Sequence, residues 1–263
     1  MRRALLIYNP RAGRWRTERL VRSLLEILGR GGYRLEAEST RAPGHAAELA
    51  REAGAAGCEA VFAFGGDGTL REAAAGLVGT DTALGPIPGG TVNVVAYSLG
   101  VPRRPAAAAE SLRRAEPREM DVGLCDEEIF LMQASCGLDA RILTRVAPRL
   151  KRHLGRAAVG LAGIEQWAAY PYPEIDLTAD GRPLSATFVA ACNLPHYGGS
   201  FRLAHGASYT DRSLDLVLFH GRGRAKALGF ARDLARGRHL ARPDVELISV
   251  EEVELRAPAG LDV

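Results

Sequence analysis

Five consecutive residues, Gly65-Gly66-Asp67-Gly68-Thr69, combine three glycines with one carboxylate and one hydroxyl. Glycine lets a backbone approach a ligand closely and adopt dihedrals that other residues resist. The apolar run Val61-Phe62-Ala63-Phe64 precedes them, and an alanine-rich segment over residues 71–77 follows. That order reads as buried strand, turn and helix. A helix N-terminus offers unpaired N–H groups and partial positive charge to an anion. The spacing therefore predicts a phosphate-binding turn, with Asp67 at hand for a metal ion or a hydroxyl. It is not a P-loop, which needs a lysine after its glycine, and it lacks the glycine spacing of a dinucleotide site. The plainer alternative is a turn that only redirects the chain, with Asp67 as a helix N-cap.

The elements that must position this turn follow from hydrophobic periodicity. Residues 4–8 are continuously apolar, the mark of a strand buried on both faces, and end in Asn9-Pro10-Arg11-Ala12-Gly13. From Thr17, Leu20, Val21, Leu24, Leu25 and Leu28 recur on one helical face, with residues 29–32 as the stop. Residues 33–39 alternate as a strand ending at Thr40-Arg41, and residues 46–56 form a helix. Residues 84–87 make a fourth strand, followed by Pro88-Gly89-Gly90-Thr91-Val92-Asn93 and a helix through Leu99. Strand and helix alternate, which predicts an α/β domain with a mostly parallel sheet. Ligands of such sheets bind beyond the carboxyl ends of the strands. Four polar turns would converge there: residues 9–13, 40–41, 65–69 and 89–93.

After a helix around residues 106–114 the pattern changes. Residues 120–124, 129–135, 174–178, 186–193, 214–219, 245–250 and 253–256 read as strands, with Asp180-Gly181 as a hairpin turn. Helices are expected over residues 139–150, 155–169 and 224–236. The chain thus divides into an α/β domain, residues 1–123, and an antiparallel, sandwich-like domain, residues 124–263.

Apolar content of 47% and charged content of 25% are those of an ordinary globular protein. A net charge of +3 is too mild to imply nucleic acid. Blocks such as Arg2-Arg3, Arg103-Arg104, Arg113-Arg114 and residues 149–156 could touch an anionic membrane surface or simply be solvated. Cys58, Cys125, Cys136 and Cys192 have no metal-ligand or redox spacing, so free thiols in a reducing compartment are expected. No apolar run approaches the roughly 20 residues that span a bilayer. The expectation is a cytoplasmic protein whose membrane contact is peripheral. His45, beside Thr40, and His196, beside Tyr197-Gly198-Gly199, are lesser candidates for the binding site.

An ordered set of motifs runs nearly the length of the chain: Asn9-Pro10 with Gly13, Thr40, Gly65-Gly66-Asp67-Gly68-Thr69, and Pro88 through Asn93. It continues with Met120-Asp121-Val122-Gly123, Gly137-Leu138-Asp139-Ala140, Lys151 with Gly155, Tyr197-Gly198-Gly199, Asp211 and Leu214-Asp215. The set resembles the diacylglycerol kinase catalytic-domain family, which includes bacterial diacylglycerol kinases and sphingosine kinases. The resemblance implies ATP-dependent phosphorylation of a lipid hydroxyl, with ATP in a cleft between the domains and the lipid on the second. By motif position, Asn9, Pro10, Arg11, Ala12, Gly13, Thr40, Gly65, Gly66, Gly68, Thr69, Leu70, Arg71, Glu72, Gly90, Thr91 and Asn93 would line the nucleotide. Asp67 would organise Mg²⁺ or accept the proton of the attacking hydroxyl. A second Mg²⁺ would lie on the loop of residues 208–213, held by the Asp211 carboxylate and the carbonyls of Ser208 and Ser213. Relatives also suggest a homodimer.

The sequence departs from the family pattern at three places. Arg212 replaces the usual glycine beside the second metal loop, and Val94 stands where many members carry an aspartate. The family's late Asp-Gly-Glu motif, whose Glu is a proposed base, has no counterpart among Glu251, Glu252 and Glu254. On that reading the carboxyl end is truncated, or the protein is a nucleotide- or lipid-binding regulator with little turnover. NAD kinase, which shares a Gly-Gly-Asp-Gly turn, is a further alternative, opposed by Asn9-Pro10 and Tyr197-Gly198-Gly199.

Overall fold

The computed structural model describes residues 2–12, 17–145, 165 and 167–256. The chain forms two compact units: Met1–Met120 with Asp126–Ile129, and Asp121–Cys125 with Phe130–Val263.

The first unit is a parallel sheet of β1 (Arg2–Tyr8), β2 (Tyr33–Ser39), β3 (Ala60–Gly65) and β4 (Ala83–Pro88), in the order β2-β1-β3-β4. Every residue of β3 is buried, as its unbroken apolar run demands. Helices α1 (Thr17–Gly29) and α5 (Pro105–Leu112) cover one face, where Leu24, Leu28, Ala108 and Ala109 meet Ala4, Leu6, Phe62 and Phe64. Helices α2 (His45–Ala55) and α3 (Asp67–Leu77) pack together on β1 and β3. Their alanines and Gly76 permit a close crossing: a Cβ on Gly76 would stand 2.3 Å from the Ala47 carbonyl oxygen. A short helix, α4 (Val94–Ser98), follows β4.

The second unit is antiparallel. Strands β14 (Val245–Val250), β13 (Leu214–Phe219), β10 (Phe188–Cys192) and β7 (Gln133–Cys136) form one sheet in that order. Strands β15 (Val253–Arg256), β8 (Ile175–Ala179) and β9 (Arg182–Ala186) form another. Ile175, Leu177 and Ala186 pack against Cys136, Val189, Leu216 and Leu218, so the two sheets share a core as a sandwich. The opposite face of the larger sheet, with Phe188, Ala190, Val217 and Phe219, lies under α7 (Arg224–Ala235), Tyr170 and Tyr172. The hairpin between β8 and β9 turns on Asp180 and Gly181 at φ 46 and φ 78, a conformation that favours Asp-Gly. Shorter elements are β5 (Gly123–Cys125), β6 (Glu128–Phe130), α6 (Leu138–Arg145), β11 (His196–Tyr197) and β12 (Phe201–Arg202).

The expected α/β and antiparallel classes are both present, and three element readings need correction. Helix α3 begins at Asp67 rather than near residue 71, because Gly66 takes the N-cap position. Residues 129–135 do not form one strand. They break after Phe130, and the Met132 carbonyl turns to accept the N–H groups of Asn193 and Leu194. Of residues 120–124, only Gly123 and Leu124 enter a strand. The helix expected over residues 155–169, along with Gly13, Lys151 and Gly155, lies almost wholly outside the described residues.

None of the four cysteines forms a disulfide, and only Cys136 and Cys192 are fully buried. No helix among the described residues is long and apolar enough to cross a membrane.

Candidate functional site

In the first unit the strand order reverses between β1 and β3, since β1 leads outward to β2 and β3 to β4. A parallel sheet opens a crevice for ligands at that switch point, beyond its carboxyl ends. Asn9 and residues 65–69 flank it. The Asn9 main-chain N–H donates to the Phe64 carbonyl at 3.0 Å, and its Nδ2 donates to Thr69 Oγ1 at 3.2 Å. Its Oδ1 accepts the Arg11 N–H at 2.9 Å, which folds Pro10, Arg11 and Ala12 into a tight turn. Thr40 joins the same edge through its N–H to the Tyr8 carbonyl at 2.9 Å, and His45 Nδ1 accepts the Arg41 N–H.

The turn after β4 is welded to the turn after β3. The Gly65 carbonyl accepts N–H groups from Gly89 at 2.7 Å and Gly90 at 3.1 Å. Asn93, at φ 55, brackets Gly90 by accepting its N–H at 2.8 Å and donating to its carbonyl at 3.0 Å. A Cβ on Gly90 would lie 2.6 Å from the Gly66 Cα, and one on Gly65 would lie 2.6 Å from the Thr69 Cβ. Gly65 is therefore required by the Thr69 side chain of its own turn, and Gly90 by the packing of one turn on the other. Gly68 differs: it is exposed, and nothing stands within 4 Å of where its Cβ would be.

The cavity beneath these loops, lined by Ala63, Asp67, Leu70, Ile87 and Asn93, has a volume of about 10 Å³. That is no more than one water requires. The open space lies outside the turn, over Gly68. There, α3 begins with an extended Gly66 that supplies no side-chain cap. The N–H groups of Asp67, Gly68 and Thr69 head the helix without intrahelical partners, while Leu70 already donates to the Gly66 carbonyl. Asp67 is the first helical residue, not the N-cap. Its Oδ1 accepts the Val95 N–H at 3.1 Å, which fixes the carboxylate and leaves Oδ2 without a hydrogen bond among the described residues.

Other residues of the expected nucleotide set have structural partners. Leu70 is 6% exposed and belongs to the core. Glu72 accepts the Ala46 N–H at the start of α2 at 3.3 Å, and Arg71 pairs with Glu128 at 2.7 Å. Thr91 is exposed beside Gly90.

In the second unit the loop of residues 208–213 is pinned by Asp121. The Asp121 N–H donates to the Tyr209 carbonyl at 2.7 Å, and its Oδ2 accepts the Arg212 N–H at 2.8 Å. Arg212 adopts φ 59, a left-handed conformation that glycine takes without strain. Asp211 Oδ1 accepts the Ser213 N–H at 3.2 Å, and the Ser208 hydroxyl lies 3.1 Å from that of Thr210. The loop thus offers one exposed carboxylate and main-chain carbonyls. No group of three or more His, Cys, Asp or Glu able to share a metal exists among the described residues. Asp215 nearby is raised above the usual carboxylate range by burial and by the charge of Asp211.

A buried cluster absent from the expected site residues lies in the same unit. Asp139 accepts the Ser135 hydroxyl at 2.7 Å, the Ala140 N–H at 2.8 Å and the Tyr197 hydroxyl at 3.3 Å. Burial pushes the Asp139 carboxyl up, and it pushes the Tyr197 phenol well up with help from the Asp139 charge. Both residues belong to motifs visible in the sequence, yet their meeting across 58 positions is a product of the fold.

Residues 3–125 match the family model described as "Diacylglycerol kinase catalytic domain". Residues 132–263 match "YegS C-terminal NAD kinase beta sandwich-like domain". A Bacillus subtilis (strain 168) protein named "Diacylglycerol kinase" is 30% identical over 247 residues, covering 91% of this chain and 81% of its own. A Pseudomonas putida protein named "Probable lipid kinase YegS-like" is 30% identical over 266 residues, covering 100% of this chain and 87% of its own. A solved structure from Bacillus anthracis str. Sterne aligns with a TM-score of 0.83 at 23% identity, covering 99% of this chain and 87% of its own. At that identity the likeness speaks to the fold.

Proposed function

Because the chain belongs to the diacylglycerol kinase catalytic-domain family, we propose that it is a lipid kinase that transfers the γ-phosphoryl group of ATP to the hydroxyl of diacylglycerol or a related lipid. The observation that carries this reading is the uncapped start of α3 at the sheet's switch point, with open space over Gly68. Phosphoryl transfer asks a protein mainly to position and neutralise phosphates. The N–H groups of Asp67, Gly68 and Thr69 would receive phosphate oxygens, and the Thr69 hydroxyl, steadied by Asn9, can donate one more hydrogen bond. Asn9 to Ala12, Thr40, Gly90 and Thr91 would border the rest of the nucleotide.

Mg²⁺, when bound, would supply the charge that neutralises the transferring phosphoryl group. Asp67 Oδ2, free of hydrogen bonds among the described residues, would hold it or accept the proton of the lipid hydroxyl. On the loop of residues 208–213 the oxygen donors of Asp211, Ser208 and Ser213 suit a hard cation. The second unit would receive the lipid.

The test is transfer of labelled phosphate from ATP with Mg²⁺ to diacylglycerol in neutral mixed micelles, with NAD as a parallel acceptor. The expected result is labelled lipid, and a fall of about 10²–10⁴-fold in kcat for Asp67→Asn, the range of a lost proton-transfer group. Asn keeps an acceptor for the Val95 N–H, so the variant should fold normally. Labelled NAD without labelled lipid, or full activity in the variant, would overturn the reading.

A further inference from the structure

Residues 222–242 hold seven arginines or lysines and a single aspartate, a local charge of +6 against +3 for the whole chain. Phe230 fixes which side of α7 faces inward: it stacks on Phe219 at 4.7 Å and tilts against Phe188 at 5.7 Å. Ala227, one helical turn away, is buried with it. At 100° per residue the opposite side carries Ala225, Leu228, Arg232 and Arg236, all exposed. Leu228 is 57% exposed at the middle of that side.

Ion pairing sharpens the pattern. Arg222 is paired with Glu174, Lys226 and Arg242 with Asp244, and Arg232 and Arg242 with Asp233. Arg224, Arg236 and Arg238 are exposed with no carboxylate at ion-pair distance among the described residues. The uncompensated charge therefore lies at the two ends of α7, with Arg224 one turn before Leu228 and Arg236 and Arg238 following the last turn. Ala225, Ala231 and Ala235 keep the helix surface low between the arginines. Strand β12, which packs beside α7, adds the exposed Phe201. A polyanion would engage the arginines but leave Leu228 and Phe201 without a role. A bilayer surface uses both, since basic side chains meet anionic headgroups while an apolar side chain enters the acyl boundary.

We propose that the outward side of α7, with Leu228 between Arg224 and Arg232, docks this protein on an anionic lipid surface together with Arg236 and Arg238 just past its end. The purpose of such docking rests on the lipid-kinase reading, although the geometry stands without it. Flotation of the full chain with phosphatidylcholine vesicles, with and without phosphatidylglycerol, tests the proposal. Binding should require phosphatidylglycerol and fade at high salt. Arg236→Ala with Arg238→Ala should weaken it about 30-fold, from about 1 kcal/mol per basic residue. Leu228→Ser should weaken it about fivefold, as expected for a half-exposed leucine that becomes buried.

Phosphate transfer in neutral mixed micelles should be unchanged in these variants. A wild type inactive in those micelles but bound to the vesicles would count against the kinase reading and leave the docking surface standing. Vesicle binding that is indifferent to phosphatidylglycerol or undiminished in the double arginine variant would overturn the surface. So would duplex DNA binding that depends on the arginines while vesicle binding ignores Leu228.

Discussion

Glu110 illustrates how a surface residue can tie two helices together. From α5 it meets Arg113, Arg114 and, on the turn after α1, Arg30. The hydrogen bond from Arg113, followed by the charges around it, holds the Glu110 carboxyl down to about 2 from an ordinary 4.5. A carboxyl lowered in the folded state contributes stability above its unfolded value, and loses that contribution as pH falls from about 4.5 through about 2. The gap in Tm between wild type and Glu110→Gln should therefore be constant near neutrality and close as pH drops across that window. A gap that stays constant down to pH 2 would show that the cluster does not couple to folding. Exposed ion pairs are individually weak, so the expected effect is small. Another residue-scale feature, Arg212 at φ 59, costs about 1–2 kcal/mol in a left-handed conformation. The family resemblance makes glycine the expected residue at this position, and the backbone gives the physical reason.

At the scale of elements, the glycines of the proposed nucleotide-binding turns divide into two kinds with opposite consequences. Gly90 stands where a methyl would strike the Gly66 backbone at 2.6 Å. Backbone cannot yield as a flexible side chain would. Gly90→Ala should cost about 1–3 kcal/mol, the range of overpacking, with ATP affinity lost as the two turns part. Gly68→Ala meets nothing. It should leave stability equal or up to about 1 kcal/mol higher, as helix propensity dictates, while raising the KM for ATP by covering the N–H groups. Thermal unfolding and kinase kinetics on the two variants check both halves. Unchanged ATP kinetics in Gly68→Ala would remove that residue from the binding surface.

This distinction is not encoded locally, because glycines in a row look alike until their neighbours are known. The elements themselves were more legible. Residues 33–39, 214–219, 245–250 and 253–256 are strands over those residues, since alternation or continuous burial leaves no helical alternative. Residues 129–135 misled for a reason that periodicity does not encode. The break at Met132 serves the chain leaving β10, which arrives from some sixty positions later. The Asp139–Tyr197 contact was hidden in the same way, each partner visible as a motif and the pairing set by tertiary packing.

For the whole molecule, the consequence turns on each unit having core residues of its own. Ala4, Leu24 and Phe62 belong to one, whereas Ile175, Val189 and Leu216 belong to another. Units with their own cores open with their own free energies, so a ligand protects most strongly the unit that it binds. ATP at about 100 times its Kd adds about 2.7 kcal/mol to the stability of a state that alone can bind it. If the switch-point crevice holds the nucleotide, hydrogen exchange on the full chain should slow first at residues 9–12, 66–69 and 90–93. The buried amides of β1 and β3 should follow, since they exchange only when that unit opens. Slowing should be weaker at β10 and β13, whose sandwich does not supply the phosphate-binding N–H groups. Protection confined to β10 and β13, with residues 66–69 unaffected, would move the nucleotide to the second unit. The start of α3 would then be left as a turn that only redirects the chain.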